Sequence, residues 1–473
     1  MKATIVVDLN RDSGAIKPLN GGNMAPPISN ENAGRNIRQY FKELKLPITR
    51  LHDAPLDNPG LSLVDVAMIF PLMHADADDP RNYNFRATDD YIANCYACGT
   101  QVYYRLGCSI DHSINKYTCF PPADTAKWVD VASHIIRHYN YGWANGFHYN
   151  IQYWEIWNEA EGTAGRDALH TCWNASYQSY CQFYLEAATA LKQRFPEIKI
   201  GGPASCGGWG DATCCKYAHQ FLDFCAAHHA PLDFYSYHAY NCAYDWFNPE
   251  CRGIRKYLDD LGYGDAQIHL NEWSYLPHDG FQRINDSRSG AFEVMEAMHG
   301  MTGAAFAAAC LANWQDSQLD MANFYTVSAS RSAVGFGIYD AYTAKPVKPY
   351  YALKAFGELA ASCPRRLATA VAEFEAPCPA RECPALRSYG FEVLAAKGEH
   401  CVCVMIANYR YGEQRLRLKF ANAPADKVRA CEVLMLDDDR DLTPIAAKID
   451  CDGALCIDSP SQSAVALVRM PLE

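Results

Sequence analysis

The chain lacks the patterns that mark several large classes of protein. The formal net charge is -12, and the chain has no run of Lys and Arg that would make a basic patch. The average surface therefore repels phosphate backbones and anionic membranes, and we expect no nucleic-acid partner. No apolar run approaches the about 20 residues needed to cross a bilayer, which predicts no membrane partner. Asp8 falls where an export signal needs its apolar stretch. Together these absences predict a soluble, cytoplasmic protein.

The cysteines do not show the spacing of a small disulfide framework or of a metal site. The 21 cysteines are scattered through predicted helices and strands, so we expect most of them to be reduced and to act as small apolar core residues. Cys95-x-x-Cys98 and the adjacent Cys214-Cys215 have no second ligand pair at zinc spacing, so the sequence predicts no metal site. No dinucleotide or phosphate-loop pattern follows a predicted strand, and we expect no cofactor.

What the chain does contain is a regular alternation of short apolar strands and amphipathic helices over residues 18–357. This alternation is typical of parallel βαβ units, and eight of them in about 340 residues suit a (β/α)8 barrel better than a doubly wound open sheet. The predicted strands are Leu19–Met24, Pro47–His52, Gln101–Leu106, Ile151–Asn158, Ile198–Pro203, Leu232–His238, Gln267–Trp273 and Ala304–Trp314.

The pattern changes after a helix predicted at Tyr350–Ala361. Short alternating strands separated by turn residues predict an accessory β-sandwich over residues 358–473. The first strand, Ala3–Asp8 within residues 1–17, is expected to join that sandwich from the other end of the chain. The predicted fold class is therefore α/β, a TIM barrel with an accessory β-sandwich.

Two glutamates stand where apolar strands of the predicted barrel end. In the fourth strand, alternation predicts that Glu155, Trp157 and Glu159 project to one side. In the seventh strand, Glu272 stands where the apolar run stops. One strand-end glutamate is more often part of an ion pair or a helix cap, but an Asn-Glu on strand 4 and another on strand 7 would face each other across the barrel mouth, where barrel enzymes place their catalytic groups.

A carboxyl pair in that place is what hydrolysis of a glycosidic bond requires. One carboxylic acid protonates the leaving oxygen while a carboxylate works on the other face of the sugar. In retaining enzymes the two groups lie about 5–5.5 Å apart, so that the second attacks the anomeric carbon directly. The sequence therefore predicts a retaining glycosidase that uses Glu159 and Glu272.

Trp157-Asn158-Glu159 in strand 4 and Asn271-Glu272-Trp273 in strand 7, on such a barrel, resemble the (β/α)8 retaining glycosidases. Within them the chain resembles glycoside hydrolase family 39, which holds β-xylosidases and α-L-iduronidases. The resemblance implies that Glu159 is the acid/base, that Glu272 is the nucleophile and that Asn158 bonds the sugar 2-hydroxyl.

Three further strands supply the remaining residues of the resemblance. Arg50-Leu-His52 is similar to the family's Arg-x-His, which implies that Arg50 holds the nucleophile ionised and that His52 meets sugar hydroxyls. His238-Ala-Tyr240 is similar to its His-x-Tyr, which implies that His238 assists the acid/base and that Tyr240 donates to the nucleophile. Trp314 resembles the aromatic floor beneath the sugar ring.

The chain also departs from the family's pattern. Family xylosidases carry a Glu-Glu pair shortly after the strand-8 Trp, whereas this chain offers only Asp316 or Asp320 to meet the far hydroxyls of the substrate. With fewer carboxylates at this position, the sequence does not fix the identity of the terminal sugar. Arg105 and Arg166 are the candidates for an iduronate carboxylate.

These observations predict an exo-acting retaining glycosidase of oligosaccharides or glycosides, with β-xylosidase as the leading activity. α-L-Arabinosidase, β-galactosidase and α-L-iduronidase remain open on the same scaffold. A catalytically silent sugar-binding homologue and a metal-dependent barrel hydrolase are the alternatives from other classes. Relatives in the family often assemble as dimers or tetramers, so the resemblance favours a homo-oligomer.

Overall fold

The computed structural model describes most of the chain. The described residues are 2–26, 37–53, 63–111, 115–161, 172–210, 212–329, 336–340, 343–372, 390–459 and 461–473.

A closed barrel of eight parallel strands forms the larger part of the molecule, which confirms the predicted TIM barrel. The first and last strands of the ring pair with each other, with Gly21 opposite Asn323. Seven of the eight strands lie where the alternation predicts them. The barrel strands are β2 (Gly21–Asn23), β3 (Ile48–Leu51), β4 (Gln101–Leu106), β5 (Tyr153–Ile156), β6 (Lys199–Ser205), β7 (Phe234–Asn241), β8 (Gln267–Tyr275) and β9 (Met321–Phe324).

Helices surround the barrel, and two of the longest begin at a capping side chain. Asp124 and Ser176 each accept a hydrogen bond from the backbone amide three residues later, which satisfies donors that the first turn leaves free. The helices are α1 (Arg38–Glu43), α2 (Val66–Ile69), α3 (Arg86–Ala97), α4 (Thr125–Tyr141), α5 (Tyr177–Arg194), α6 (Ala212–His228), α7 (Phe247–Asp260), α8 (Gly280–Asp286), α9 (Arg288–His299), α10 (Met301–Asn313), α11 (Lys348–Ser362) and α12 (Ala425–Arg429).

The eighth predicted strand is wrong. The segment Ala304–Trp314 is helical, and the strand that closes the barrel follows it at Met321–Phe324. Helix α10 is rich in alanine, the residue with the highest helix propensity, and it is buried nearly all round. A helix buried on every side shows no polar face, so its apolar run resembles that of a buried parallel strand.

Among the described residues, no single helix is both long and apolar enough to cross a membrane. Ser289–His299 and Met301–Asp316 pass that test only when taken together, and a bend of 49° separates them.

In the described part of the accessory unit, ten strands form one mixed sheet in the order β15-β14-β18-β12-β11-β10-β1-β13-β17-β16. Strand β1 lies between β10 and β13, with Thr4 opposite both Ala372 and Arg417. Apolar side chains from both halves of the sheet pack into one core, to which β1 contributes alternate residues from Ala3 to Leu9. The strands are β1 (Lys2–Ala15), β10 (Arg365–Ala372), β11 (Gly390–Lys397), β12 (Cys401–Tyr409), β13 (Gln414–Ala421), β14 (Glu432–Leu436), β15 (Asp441–Ile445), β16 (Lys448–Ile449), β17 (Leu455–Ser459) and β18 (Ala464–Pro471).

Gly201 gives a test of how tightly the barrel strands approach one another. A Cβ added there would lie 2.2 Å from the carbonyl oxygen of Phe234, a backbone atom that cannot move aside. We expect Gly201→Ala to lower the free energy of unfolding by about 1–3 kcal/mol, as overpacking does. The control is Gly264→Ala, whose new Cβ would meet nothing nearer than Asp259 Oδ1 at 3.8 Å. Equal urea midpoints for the two variants would contradict this account.

Candidate active site

Two carboxylates meet at the C-terminal mouth of the barrel. Glu159 follows β5 and Glu272 lies in the last part of β8. One carboxylate oxygen of each lies within 4.8 Å of the other. The ring of His238 sits between them, with Nδ1 2.6 Å from Glu159 Oε1 and 3.4 Å from Glu272 Oε2. The two glutamates singled out by the sequence are therefore brought together at the separation suited to direct displacement, about 5–5.5 Å.

Arg50 organises one side of this pair. Its guanidinium is fully buried and donates in three directions, through Nε to Glu155 (2.7 Å), through one terminal nitrogen to Glu272 (2.9 Å) and through the other to Asn158 (2.7 Å). Burial alone would lower the pKa of Arg50, but the charges of Glu155 and Glu272 outweigh burial and raise it. One permanent cation thus orients the Glu272 carboxylate and the Asn158 amide together.

Glu155 is a structural anchor beneath the site. Its Oε2 accepts from Arg50, and its Oε1 accepts from Tyr103 (3.0 Å), Ser236 (2.7 Å) and Asn271 (2.5 Å). A buried carboxylate with four donors has little remaining capacity to accept a substrate group. The sequence marks Glu155 as a buried charge in need of partners, but it does not identify Tyr103, Ser236 or Asn271 as those partners.

Glu272 is almost enclosed, with 7% of its side chain exposed. Burial raises the pKa of Glu272, while the charges of His238 and Arg50 and the hydroxyl of Tyr240 oppose that rise. Tyr240 donates to Glu272 Oε2 at 2.7 Å. The pKa of Tyr240 itself is raised well above its usual range by burial and by the Glu272 charge, so its hydroxyl remains a donor.

The neighbouring His52 is held in one tautomer. Arg105 Nε donates to His52 Nδ1 at 3.1 Å, which leaves the ring proton on Nε2. Burial, reinforced by the charge of Arg50, lowers the pKa of His52 well below its usual value, so the ring is neutral. Its Nε2 lies 3.9 Å from Glu272 Oε1.

Three buried polar nitrogens of this group have no hydrogen-bond partner among the described residues. They are His52 Nε2, Asn158 Nδ2 and His238 Nε2. A buried donor left unsatisfied costs about 1–3 kcal/mol, so such groups normally serve a ligand or ordered water. Hydroxyl groups of a bound sugar would satisfy them.

The predicted alternation fails at the end of β5. The strand stops at Ile156, and both Trp157 (φ 72°) and Glu159 (φ 44°) take left-handed backbone conformations. The Trp157 ring consequently turns outward against Phe183 of α5, while Asn158 turns inward to Arg50. Left-handed non-glycine residues cost about 1–3 kcal/mol each and are characteristic of functional sites.

Trp314 does not lie at the barrel mouth. It occupies a short 3-10 turn after α10, where its buried ring packs edge-on against Trp273 (4.6 Å) and Phe247 of α7 (4.9 Å). Trp273 follows Glu272 in β8 and so faces the opposite side of that strand, away from the carboxylates. The expectation that Trp314 forms the floor of the sugar site is therefore wrong, because it rests on the misplaced eighth strand.

Asp320 lies at the opposite end of the barrel. Its Oδ2 accepts from the backbone amide of Ile268, at the start of β8, while Glu272 stands four residues further along that strand. Four residues of strand span about 13 Å. Asp316, the other candidate, pairs with Arg366 and is largely exposed. Neither aspartate can meet a sugar held between the two glutamates.

Tyr325 is the aromatic residue that the sequence reasoning missed. It directly follows β9, and its hydroxyl donates to Asp53 Oδ2 at 3.1 Å. Its ring lies 6.3 Å from that of Tyr240. Burial raises the pKa of Asp53 and that of Tyr325. With the eighth strand placed at Met321–Phe324, Tyr325 is the aromatic residue at its C-terminal end, where barrel enzymes place functional groups.

Arg105 already has a carboxylate partner, although its Nη1 has no hydrogen-bond partner among the described residues. It is fully buried and pairs with Asp65 at 2.5 Å, so its charge is already neutralised. The other candidate, Arg166, lies outside the described residues.

Glu159, His238 and Glu272 also satisfy the distances of a three-ligand metal cluster. Both oxygens of Glu272, however, already accept hydrogen bonds, one from Arg50 and one from Tyr240. The adjacent guanidinium would also repel a second cation. The arrangement suits acid/base and nucleophilic chemistry better than metal binding.

Comparison with known proteins also points to glycoside hydrolase family 39. Residues 61–249 match the family described as glycosyl hydrolases family 39, a segment that contains Glu159 and His238 but ends before Glu272. A β-xylosidase of Geobacillus stearothermophilus is 29% identical over 216 residues, which are 43% of this chain and 39% of that protein. The chain thus spans about two fifths of this curated relative. These matches confirm the resemblance to glycoside hydrolase family 39.

Solved structures share the whole fold. A glucosidase from Croceicoccus marinus superimposes with a TM-score of 0.75 at 19% identity, over 100% of this chain and 99% of that one. A GH39 β-xylosidase from Caulobacter crescentus gives 0.67 at 15% identity, over 99% of both chains. At such identities the likeness establishes the barrel and its accessory sheet.

The anchoring role of Glu155 can be tested by stability. We expect Glu155→Gln to lower the free energy of unfolding by about 3–5 kcal/mol, because Arg50 would lose one of its two carboxylate partners while remaining buried. Chemical denaturation followed by tryptophan fluorescence measures this loss. Glu399→Gln, at a side chain that is 86% exposed, is the control and should change stability by less than about 0.5 kcal/mol. A variant at Glu155 as stable as that control would refute the anchor.

Proposed function

We propose that this protein is a retaining, exo-acting glycoside hydrolase that works by double displacement. The observation that carries the proposal is the carboxyl pair, whose nearest oxygens lie within 4.8 Å with His238 between them. That separation leaves no room for a water molecule between the second carboxylate and the anomeric carbon, as an inverting mechanism would need.

Glu272 is the nucleophile in this proposal. Its two oxygens are fixed by Arg50 and Tyr240, which orients the carboxylate for attack, and the charge of Arg50 favours its ionised form against the burial that raises its pKa. The attack forms a bond from a Glu272 oxygen to the anomeric carbon as the bond to the leaving oxygen breaks. Arg50 and Tyr240 then stabilise the carboxylate again when water releases the sugar.

Glu159 is the acid/base. It is more exposed than Glu272, with 20% of its side chain accessible, so it can exchange protons with water between the two steps. His238 contacts Glu159 at 2.6 Å and holds it in place. Glu159 protonates the leaving oxygen in the first step and takes a proton from the attacking water in the second.

The sugar-binding groups are His52, Asn158 and His238, through their unpartnered nitrogens. Asn158 is the candidate for the 2-hydroxyl, where a hydrogen bond strengthens as the oxocarbenium-like transition state develops. Tyr325, directly after β9, takes the place at the end of the eighth strand that the resemblance assigns to Trp314.

We propose β-xylosidase as the leading activity. Its support is that the curated relatives are β-xylosidases, together with a neutral His52 whose Nε2 is free to meet a sugar hydroxyl. α-L-Iduronidase is disfavoured because Asp65 neutralises Arg105. α-L-Arabinosidase and β-galactosidase are the alternatives that a substrate panel must separate.

A panel of p-nitrophenyl glycosides with proton NMR of the first product tests the proposal. We expect turnover of the β-xyloside, with β-xylose as the first sugar released, since double displacement retains the anomeric configuration. Asp320→Asn is a matched control that should leave KM unchanged, because Asp320 lies at the far end of the barrel. Release of the α-anomer first would refute the mechanism, and sugar binding by calorimetry without any turnover would favour a silent homologue.

The roles of the two glutamates are separated by the leaving group. We expect Glu159→Gln to lose about 10²–10⁴-fold in kcat/KM on xylo-oligosaccharides but much less on activated aryl glycosides, which leave without a proton. Glu272→Gln should lose at least about 10³-fold on both, because no leaving group replaces a nucleophile. Steady-state kinetics on paired substrates measures the difference. Equal losses in Glu159→Gln on both substrates would contradict its assignment as the acid.

A further inference from the structure

Three cysteines come together far from the carboxylate pair, where the last barrel helix meets the accessory sheet. Cys363 ends α11, and Cys401 and Cys403 lie two residues apart on β12. Residues two apart on a strand share a face, and here that face packs against the barrel while the intervening Val402 belongs to the core of the sheet. The three thiols are thereby directed to one point.

The distances within this cluster fit a metal ion. The Sγ atoms of Cys363 and Cys401 are 3.6 Å apart, those of Cys401 and Cys403 are 3.8 Å apart, and all three lie within 4.8 Å of one another. Thiolates bound tetrahedrally to zinc at about 2.3 Å have sulfur atoms about 3.8 Å apart. A disulfide would use only two of the three sulfurs, and it needs them at about 2.05 Å.

The surroundings also suit a cation. Cys363 caps the C-terminal end of a fifteen-residue helix, and the negative end of the helix dipole favours positive charge there. Cys363 and Cys403 are buried, whereas Cys401 is only partly buried, so an ion and a water ligand can reach the cluster from the side of Cys401.

We propose that Cys363, Cys401 and Cys403 bind a thiophilic divalent cation, Zn²⁺, with water in the fourth position. Binding forms three sulfur–metal bonds and releases the three thiol protons to solvent. The ion joins the end of α11 to β12 and so fastens the accessory sheet to the barrel. This inference is independent of the carboxylate pair and of the proposed glycosidase activity.

Cobalt substitution tests the site in the intact protein. The chain is purified in reductant, stripped with a chelator and titrated with Co²⁺ without oxygen. We expect one Co²⁺ per chain, with a thiolate-to-cobalt charge-transfer band and the visible bands of a tetrahedral ion. Cys401→Ser should lower the charge-transfer intensity by about a third and weaken binding at least about tenfold, because one of three thiolates is lost.

Two variants serve as matched controls. Cys451→Ser removes an exposed thiol and Cys98→Ser removes one member of the Cys-x-x-Cys pair, and both should bind Co²⁺ as the parent does. Zn²⁺ should raise the Tm of the parent and of both controls, and at the same concentration it should raise the Tm of Cys401→Ser less, since stabilisation by a ligand falls as its affinity falls.

Several results would overturn the proposal. They are the absence of a thiolate band, a band that persists in the Cys363→Ser, Cys401→Ser double variant, and a band lost equally in a control. Mass spectrometry that found two of the three cysteines joined in a disulfide in protein that binds no metal would replace the metal site with a redox pair.

Discussion

A single buried guanidinium sets the geometry of the barrel mouth. Arg50 reaches acceptors on two segments, at Glu155 and Asn158 in and just after β5 and at Glu272 in β8, and each of its three nitrogens has one of them. An isolated charge could not be buried there. The carboxylates of Glu155 and Glu272 could not be buried near each other without the cation of Arg50 between their strands. The lower layer of the barrel, through Glu155, therefore supports the placement of the groups at its mouth.

The barrel was predictable because parallel strands buried on both faces leave a strong apolar signal between amphipathic helices. The failure at the eighth strand has a physical cause. Helix α10 lies between the barrel and the accessory sheet, and it has lost the polar face by which a helix is normally recognised. Burial on all sides removes the periodicity that distinguishes helix from strand. The same misplacement produced the wrong expectations for Trp314 and Asp320.

The candidate site was predictable as far as it depends on strand ends. Glu159, Glu272, Arg50, His52, His238 and Tyr240 each stand at a position that the barrel topology brings to one mouth. Contacts between distant segments were not predictable, and the partners of Glu155 and the pairing of Tyr325 with Asp53 belong to this class. The cluster of Cys363, Cys401 and Cys403 belongs to this class too, because it joins the end of a helix to a strand whose own cysteine spacing is not that of a metal site.

The position of β1 constrains the order in which the protein can fold. This strand leaves the ribosome early, yet Thr4 pairs with Ala372 on one side and Arg417 on the other. During synthesis both edges of β1 stay without these partners until the whole barrel has been made, since β10 begins only at Arg365. Pairing between such distant segments is intrinsically slow, and open strand edges invite association with other nascent chains. A chain interrupted before residue 421 would thus carry an unsatisfied β1.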